Sequence, residues 1–114
     1  MRRFAADLHI HTSLSPCAET SMTPDRIVAV ASSRGLDMIA ICDHNSAGAV
    51  EAMREAAAGC PALTVLPGIE ITTREEVHVL GLFPDAAAAL AVGAAVQATL
   101  PRELPVSTAS TFPL

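Results

Sequence analysis

Along the chain, short apolar runs alternate with longer stretches of helical periodicity. Residues 4–11 (FAADLHIH) read as a strand, with Leu8 and Ile10 on one face and Asp7, His9 and His11 on the other. Thr23 then offers an N-cap, with Pro24 at the first helical position, and the helix runs to Gly35. Residues 36–42 are nearly all apolar, the pattern of a strand covered on both faces. Asn45 or Ser46 is expected to cap a second helix that continues to about residue 58 and stops at Gly59. A third strand over 62–66 meets Pro67-Gly68 and extends through Ile69-Glu70-Ile71. A fourth is expected over 76–83, after which Asp85 caps an Ala-rich helix that Pro101 stops.

Strands separated by helices of ten to fifteen residues predict βαβ units and a mainly parallel sheet. In such architectures ligands gather at the C-terminal ends of the strands. The polar residues of this chain collect there: His9 and His11, Asp43 and His44, then Glu70, with His78 inside the fourth strand. The expected organisation is one domain over residues 1–100, followed by a tail rich in Pro, Ser and Thr over 101–114.

Composition narrows the function classes. With 51% apolar and 17% charged residues in 114, the chain can bury a core and is not a disordered segment. The net charge is -5, and all seven basic residues are Arg, which disfavours non-specific nucleic-acid binding through a cationic patch. No run of about 18 residues is both apolar and free of charge and proline, so no membrane partner is expected. Arg2 and Arg3 are followed too soon by Asp7 for a signal peptide, and the expected location is cytoplasmic. Three widely spaced cysteines do not form a disulfide framework; Cys42 and Cys60 read as small buried hydrophobes.

His9 and His11, two apart on a strand, project to one face about 7 Å apart along the backbone and can converge on one divalent ion. By itself the pair reads equally as two structural histidines. Asp43-His44 reads as a helix cap or as a ligand pair, and His78 as a core histidine or a ligand. Glu70, between two β-branched residues, points opposite to them and can bridge two ions with its two oxygens.

Together, DLHIHT (7–12), CDHN (42–45), GIEI (68–71) and EVHVLG (76–81) resemble the first motifs of the polymerase and histidinol phosphatase (PHP) family, in that family's order. The resemblance implies part, about half, of a distorted seven-stranded β/α barrel. It implies two or three divalent ions (zinc, manganese or iron) and hydrolysis of a phosphate ester, of a nucleotide or a small phosphomonoester, by a metal-bound hydroxide. By the same resemblance His9 and His11 hold a first metal, Glu70 bridges it to a second, His78 serves the second, and His44 serves a third. Asp7 and Asp43 then act as ligands or orient the imidazoles, with Asp43 placed among the catalytic residues. Cys17, after Pro16, stands near a position that supplies a ligand to the third metal, or is a turn residue. Arg74, in the loop after Glu70, is the candidate for holding a substrate phosphate.

Barrels of this kind run to about 250 residues, and no histidine follows His78. Three readings follow from that shortfall: a truncated gene product, a chain that self-associates to cover open sheet edges, or a degenerate module that binds metal without turnover.

Overall fold

The computed structural model describes residues 1–101. Four strands form one mixed sheet: β1 (Ala6–Ile10), β2 (Met38–Ile41), β3 (Thr64–Thr72) and β4 (His78–Leu82), in the order β1-β2-β3-β4. Three helices alternate with them: α1 (Pro24–Ser33) after β1, α2 (Val50–Ala57) after β2 and α3 (Ala86–Thr99) after β4. The architecture is the expected partial β/α barrel. The β1–β2 and β2–β3 pairs are parallel, as predicted, whereas β4 returns antiparallel on β3. Five residues join those two strands, too few for a parallel crossover. Glu76 takes φ 62 in this hairpin loop, and the Thr73 and Val77 backbones are bonded across it.

Burial explains why the strands lie where they do. Ile39 and Ile41 of β2 join Ile27, Val28 and Ala31 of α1 and Met53 and Ala57 of α2 in the main core. Ala40 and Cys42 are also fully buried, so β2 is covered on both faces as its apolar sequence requires. A second cluster, Ala47, Val50, Ala86 and Ala89, docks α3 beside α2. β1 and β4 are the edges of the sheet, with Leu8, Val79, Leu80 and Leu82 exposed.

Helix α2 departs from expectation: it begins at Val50, its N-cap is Ala49, and neither Asn45 nor Ser46 caps it. Both polar side chains are committed elsewhere. Asn45 sits at φ 53 and its Oδ1 accepts the Thr72 N–H at 3.0 Å, while the Ser46 Oγ accepts the Gly48 N–H at 3.0 Å. Thr23 stands at the N-cap of α1 with extended backbone but without a side-chain cap bond. Asp85 does cap α3, accepting the Ala88 N–H at 2.8 Å.

The strand expected over 62–66 with its extension through 71 forms as one continuous element, β3 (Thr64–Thr72), that changes partner at Pro67-Gly68. Residues Thr64–Pro67 pair with β2, and Gly68–Thr72 pair with β4. A Cβ on Gly68 would lie 2.8 Å from both the Ile41 carbonyl oxygen and the Cys42 Sγ, so this crossing admits only glycine without displacement. Beyond Pro101, the expected tail over 101–114 lies outside the described residues.

Candidate metal centre

The strand ends bring all four histidines onto one carboxylate. His9 lies one residue before the end of β1 and His11 just past it; His44 follows β2; Glu70 lies near the end of β3; His78 opens the antiparallel β4 and so reaches the same end of the sheet. A bridge between His44 and Glu70 continues the β2–β3 pairing past the strand, with the Glu70 N–H donating to the Asp43 carbonyl and the Asn45 N–H to the Glu70 carbonyl.

Glu70 is only 4% exposed, and its two oxygens face different imidazoles. Oε1 lies 3.0 Å from His9 Nε2, 3.0 Å from His11 Nε2 and 3.7 Å from His44 Nδ1, while Oε2 lies 3.1 Å from His78 Nδ1. The His9 and His11 Nε2 atoms are 3.2 Å apart, so the two rings do converge as their spacing suggested. The His11 and His44 rings stack at 4.6 Å between centroids. Imidazole nitrogens and a carboxylate oxygen bound at about 2.1 Å to one ion lie about 3.0–3.4 Å apart, which the His9–His11–Glu70 separations match. Three groups have the chemistry and proximity to hold ions: His9, His11 and Glu70; His44, Glu70 and His78; and His11, Cys17 and His44.

The electrostatics agree with a cation-accepting cluster. Burial, helped by His44, lowers the His11 pKa and keeps the ring neutral and able to coordinate. For Glu70, burial works to raise the pKa, but the His9 hydrogen bond and the charges of His44, His9 and His11 outweigh it and hold the carboxyl below its ordinary value.

Asp43 stands behind this cluster. It is 2% exposed and accepts three bonds, from the Thr12 N–H at 2.7 Å, the Thr12 hydroxyl at 2.6 Å and the Ser15 hydroxyl at 2.6 Å. Its oxygens are thereby turned to the loop after β1. Asp7 belongs to none of the three donor groups. Asp7 accepts the His9 N–H at 3.2 Å and lines a groove of about 290 Å³ with Arg26 and Arg34. Arg74 is exposed in the β3–β4 hairpin loop.

Three residues that the sequence reading passed over complete the support. Ser15 Oγ accepts the His44 N–H at 3.1 Å and lies 3.1 Å from His11 Nδ1. Thr72 Oγ1 lies 3.2 Å from Nδ1 of both His44 and His78. Thr12, Ser15 and Thr72 are buried polar residues. Thr72 was findable, since it lies two residues from Glu70 and shares its face; Thr12 and Ser15 carry no such periodic signal.

A carboxylate facing four imidazoles at one end of a β/α sheet is a donor set able to hold divalent ions. The model of the PHP domain family matches residues 7–100, and the chain belongs to that family. It is 36% identical over 85 residues to the 5′-3′ exoribonuclease Rnm of Salmonella typhimurium, covering 71% of this chain and 28% of that protein. It is 35% identical over 80 residues to the 5′-3′ exoribonuclease Rnm of Escherichia coli, covering 67% and 26%. Among solved structures, an amidohydrolase from Chromobacterium violaceum, with bound sulfate and no metal, aligns at TM-score 0.67 and 30% identity over 82% of this chain and 32% of its own. An inferred metal-dependent phosphoesterase from Bifidobacterium adolescentis aligns at TM-score 0.66 and 30% identity, over 86% and 34%. The chain thus spans between a quarter and about a third of the proteins it matches.

Proposed function

We propose that this chain carries the first metal ligands of a metal-dependent phosphoesterase that hydrolyses a phosphate ester of a nucleotide or a small phosphomonoester. The observation that carries this reading is the division of the Glu70 carboxylate, with Oε1 toward His9 and His11 and Oε2 toward His78. When bound, divalent ions of the zinc, manganese or iron class polarise a phosphoryl oxygen and supply a nucleophilic hydroxide near neutral pH. In this reading His9, His11 and Glu70 would hold one ion. Glu70 and His78 would hold a second, and His44 and Cys17 would serve a third. Thr72 packs between the His44 and His78 rings, its Oγ1 3.2 Å from Nδ1 of each. Asp43 positions the loop that carries Ser15 and thereby His11 and His44, and Asp7 steadies the His9 backbone. Arg74, exposed in the hairpin loop, would hold a substrate phosphate.

The exoribonuclease names of two relatives favour a nucleotide ester with a 5′ end as substrate. The setting proposed is cytoplasmic; among the described residues no helix is long and apolar enough to cross a membrane. The exposed apolar residues of edge strands β1 and β4 support a covering partner, and self-association is one way to provide it. A second reading is a module of the same family that binds metal without turnover.

Hydrolysis of an aryl phosphate and of a 5′-phosphorylated oligoribonucleotide in the presence of Mn²⁺ separates the readings. Turnover that disappears in both His9→Ala and Glu70→Ala establishes the first. Stoichiometric metal with no turnover on either substrate establishes the second.

A further inference from the structure

The group formed by His11, Cys17 and His44 differs chemically from the other two. The Glu70-centred groups offer imidazole and carboxylate, whereas this one offers two imidazoles and a thiol and no carboxylate. Its donor atoms all lie within 4.8 Å of one another. Bonds of about 2.3 Å to sulfur and about 2.1 Å to nitrogen need an S···N separation of about 3.5 Å, so the loop closes by little more than 1 Å at most.

The placement of Cys17 follows from the packing. Two residues before it, Ser15 is fixed by Asp43, by the His44 N–H and by His11 Nδ1. The Ala18 N–H bonds the Ser15 carbonyl at 3.0 Å and folds Cys17 back as a turn over that junction. The other cysteines have different surroundings. Cys42 is buried with its thiol donating to the Leu8 carbonyl, and burial, then Glu70, pushes its pKa up to about 11. Cys60 Sγ takes a bond from the Ser32 hydroxyl. Cys17 is the exposed cysteine, and imidazoles stand beside it.

We propose that Cys17 gives this third group a different metal preference from the Glu70 groups, selecting a zinc-class ion (zinc, cobalt(II) or cadmium) over manganese or magnesium. Thiolate sulfur is a soft donor that binds zinc-class ions strongly, whereas carboxylate and water suit manganese and magnesium. The thiol proton passes to solvent as the metal–sulfur bond forms. A neutral imidazole ligates one ion, so where His11 serves the Glu70 group the soft site keeps Cys17 and His44, and the proposal rests on the reading of the cluster as a metal centre.

Cobalt(II) titration of the metal-free full chain tests it, with bound cobalt measured in parallel by equilibrium dialysis. The expected result is a thiolate-to-cobalt charge-transfer band in the near ultraviolet, present in the wild type and in Glu70→Gln and absent in Cys17→Ser. Zinc at one equivalent should abolish the band, and a tenfold excess of manganese should leave it. Cys17→Asp, which keeps a ligand at the position, should bind cobalt without the band and shift preference at least tenfold toward manganese. Bound cobalt without the band in the wild type overturns the thiolate site and leaves the metal centre standing. A band that persists in Cys17→Ser, or that manganese displaces, overturns it equally. No bound cobalt in the wild type overturns both readings.

Discussion

Ser15 and Asp43, 28 residues apart, are joined by a hydroxyl–carboxylate hydrogen bond of 2.6 Å buried beneath the histidine cluster. The same Ser15 oxygen meets His11 and the His44 backbone, so one side chain ties the loop after β1 to the end of β2. This junction, with the Thr12 bonds to Asp43, converts two strand ends into one rigid support.

Asp43→Asn should therefore weaken the fold although it preserves shape. An amide offers one oxygen where three donors now meet a carboxylate, and hydrogen bonds to a charged group contribute about 1.5–3 kcal/mol each. We expect a loss of about 2–3 kcal/mol in urea unfolding, and about 1–2 kcal/mol for Ser15→Ala. Amide exchange should accelerate over residues 12–22 in both variants. An unchanged exchange pattern would refute the support role.

Glu70→Gln tests the shared carboxylate. The variant retains the side-chain volume in the 4% exposed site but removes the charge that two donor groups share. Metal content after dialysis should fall by the ions those groups hold, with affinity reduced by more than about 100-fold, the upper range for losing an orienting partner alone. The rise in Tm on metal addition, which follows from binding the folded state only, should shrink accordingly. Elemental analysis and thermal melts measure both effects.

Stability of the metal-free protein should decline on acidification in two windows. The His11 pKa is lowered in the folded state, so the unfolded chain takes up that proton first. Stability is lost as pH falls through the ordinary value of 6.5 and levels off once the folded value is passed. Glu70, also lowered from 4.5, contributes stability that is present above 4.5 and is lost as pH falls through its folded value. Denaturant midpoints between pH 7.5 and 3.5 measure the decline. Greater stability at pH 5 than at pH 7 would contradict these assignments.

Gly68→Ala should destabilise without touching any ligand. The new methyl would meet the Ile41 carbonyl oxygen at 2.8 Å, and backbone cannot yield as a flexible side chain does. A cost of about 1–3 kcal/mol is expected. Because Glu70 lies two residues on, the shift should also loosen the His44–Glu70 bridge, seen as reduced exchange protection at the Glu70 and Asn45 amides.

The alternation of apolar and polar positions sufficed to place seven elements in order, because burial on one or both faces imposes its own period on a segment. It also put His9, His11, Glu70 and His44 at strand ends, and the convergence of His9 and His11 on one face followed from their spacing alone. The expectation for α2 failed for a tertiary reason: Asn45, a good cap in isolation, gives its side chain to the Thr72 N–H instead.

Local pattern fixed what each segment is, since helical and extended periodicities are properties of neighbouring residues. Only the folded chain decided what meets across it: the antiparallel return of β4 that brings His78 to Glu70, and the turning of Asp43 toward Thr12 and Ser15. These depend on contacts between residues tens of positions apart. Hydrogen-bond valence and close packing settle them jointly, and no local period records the result.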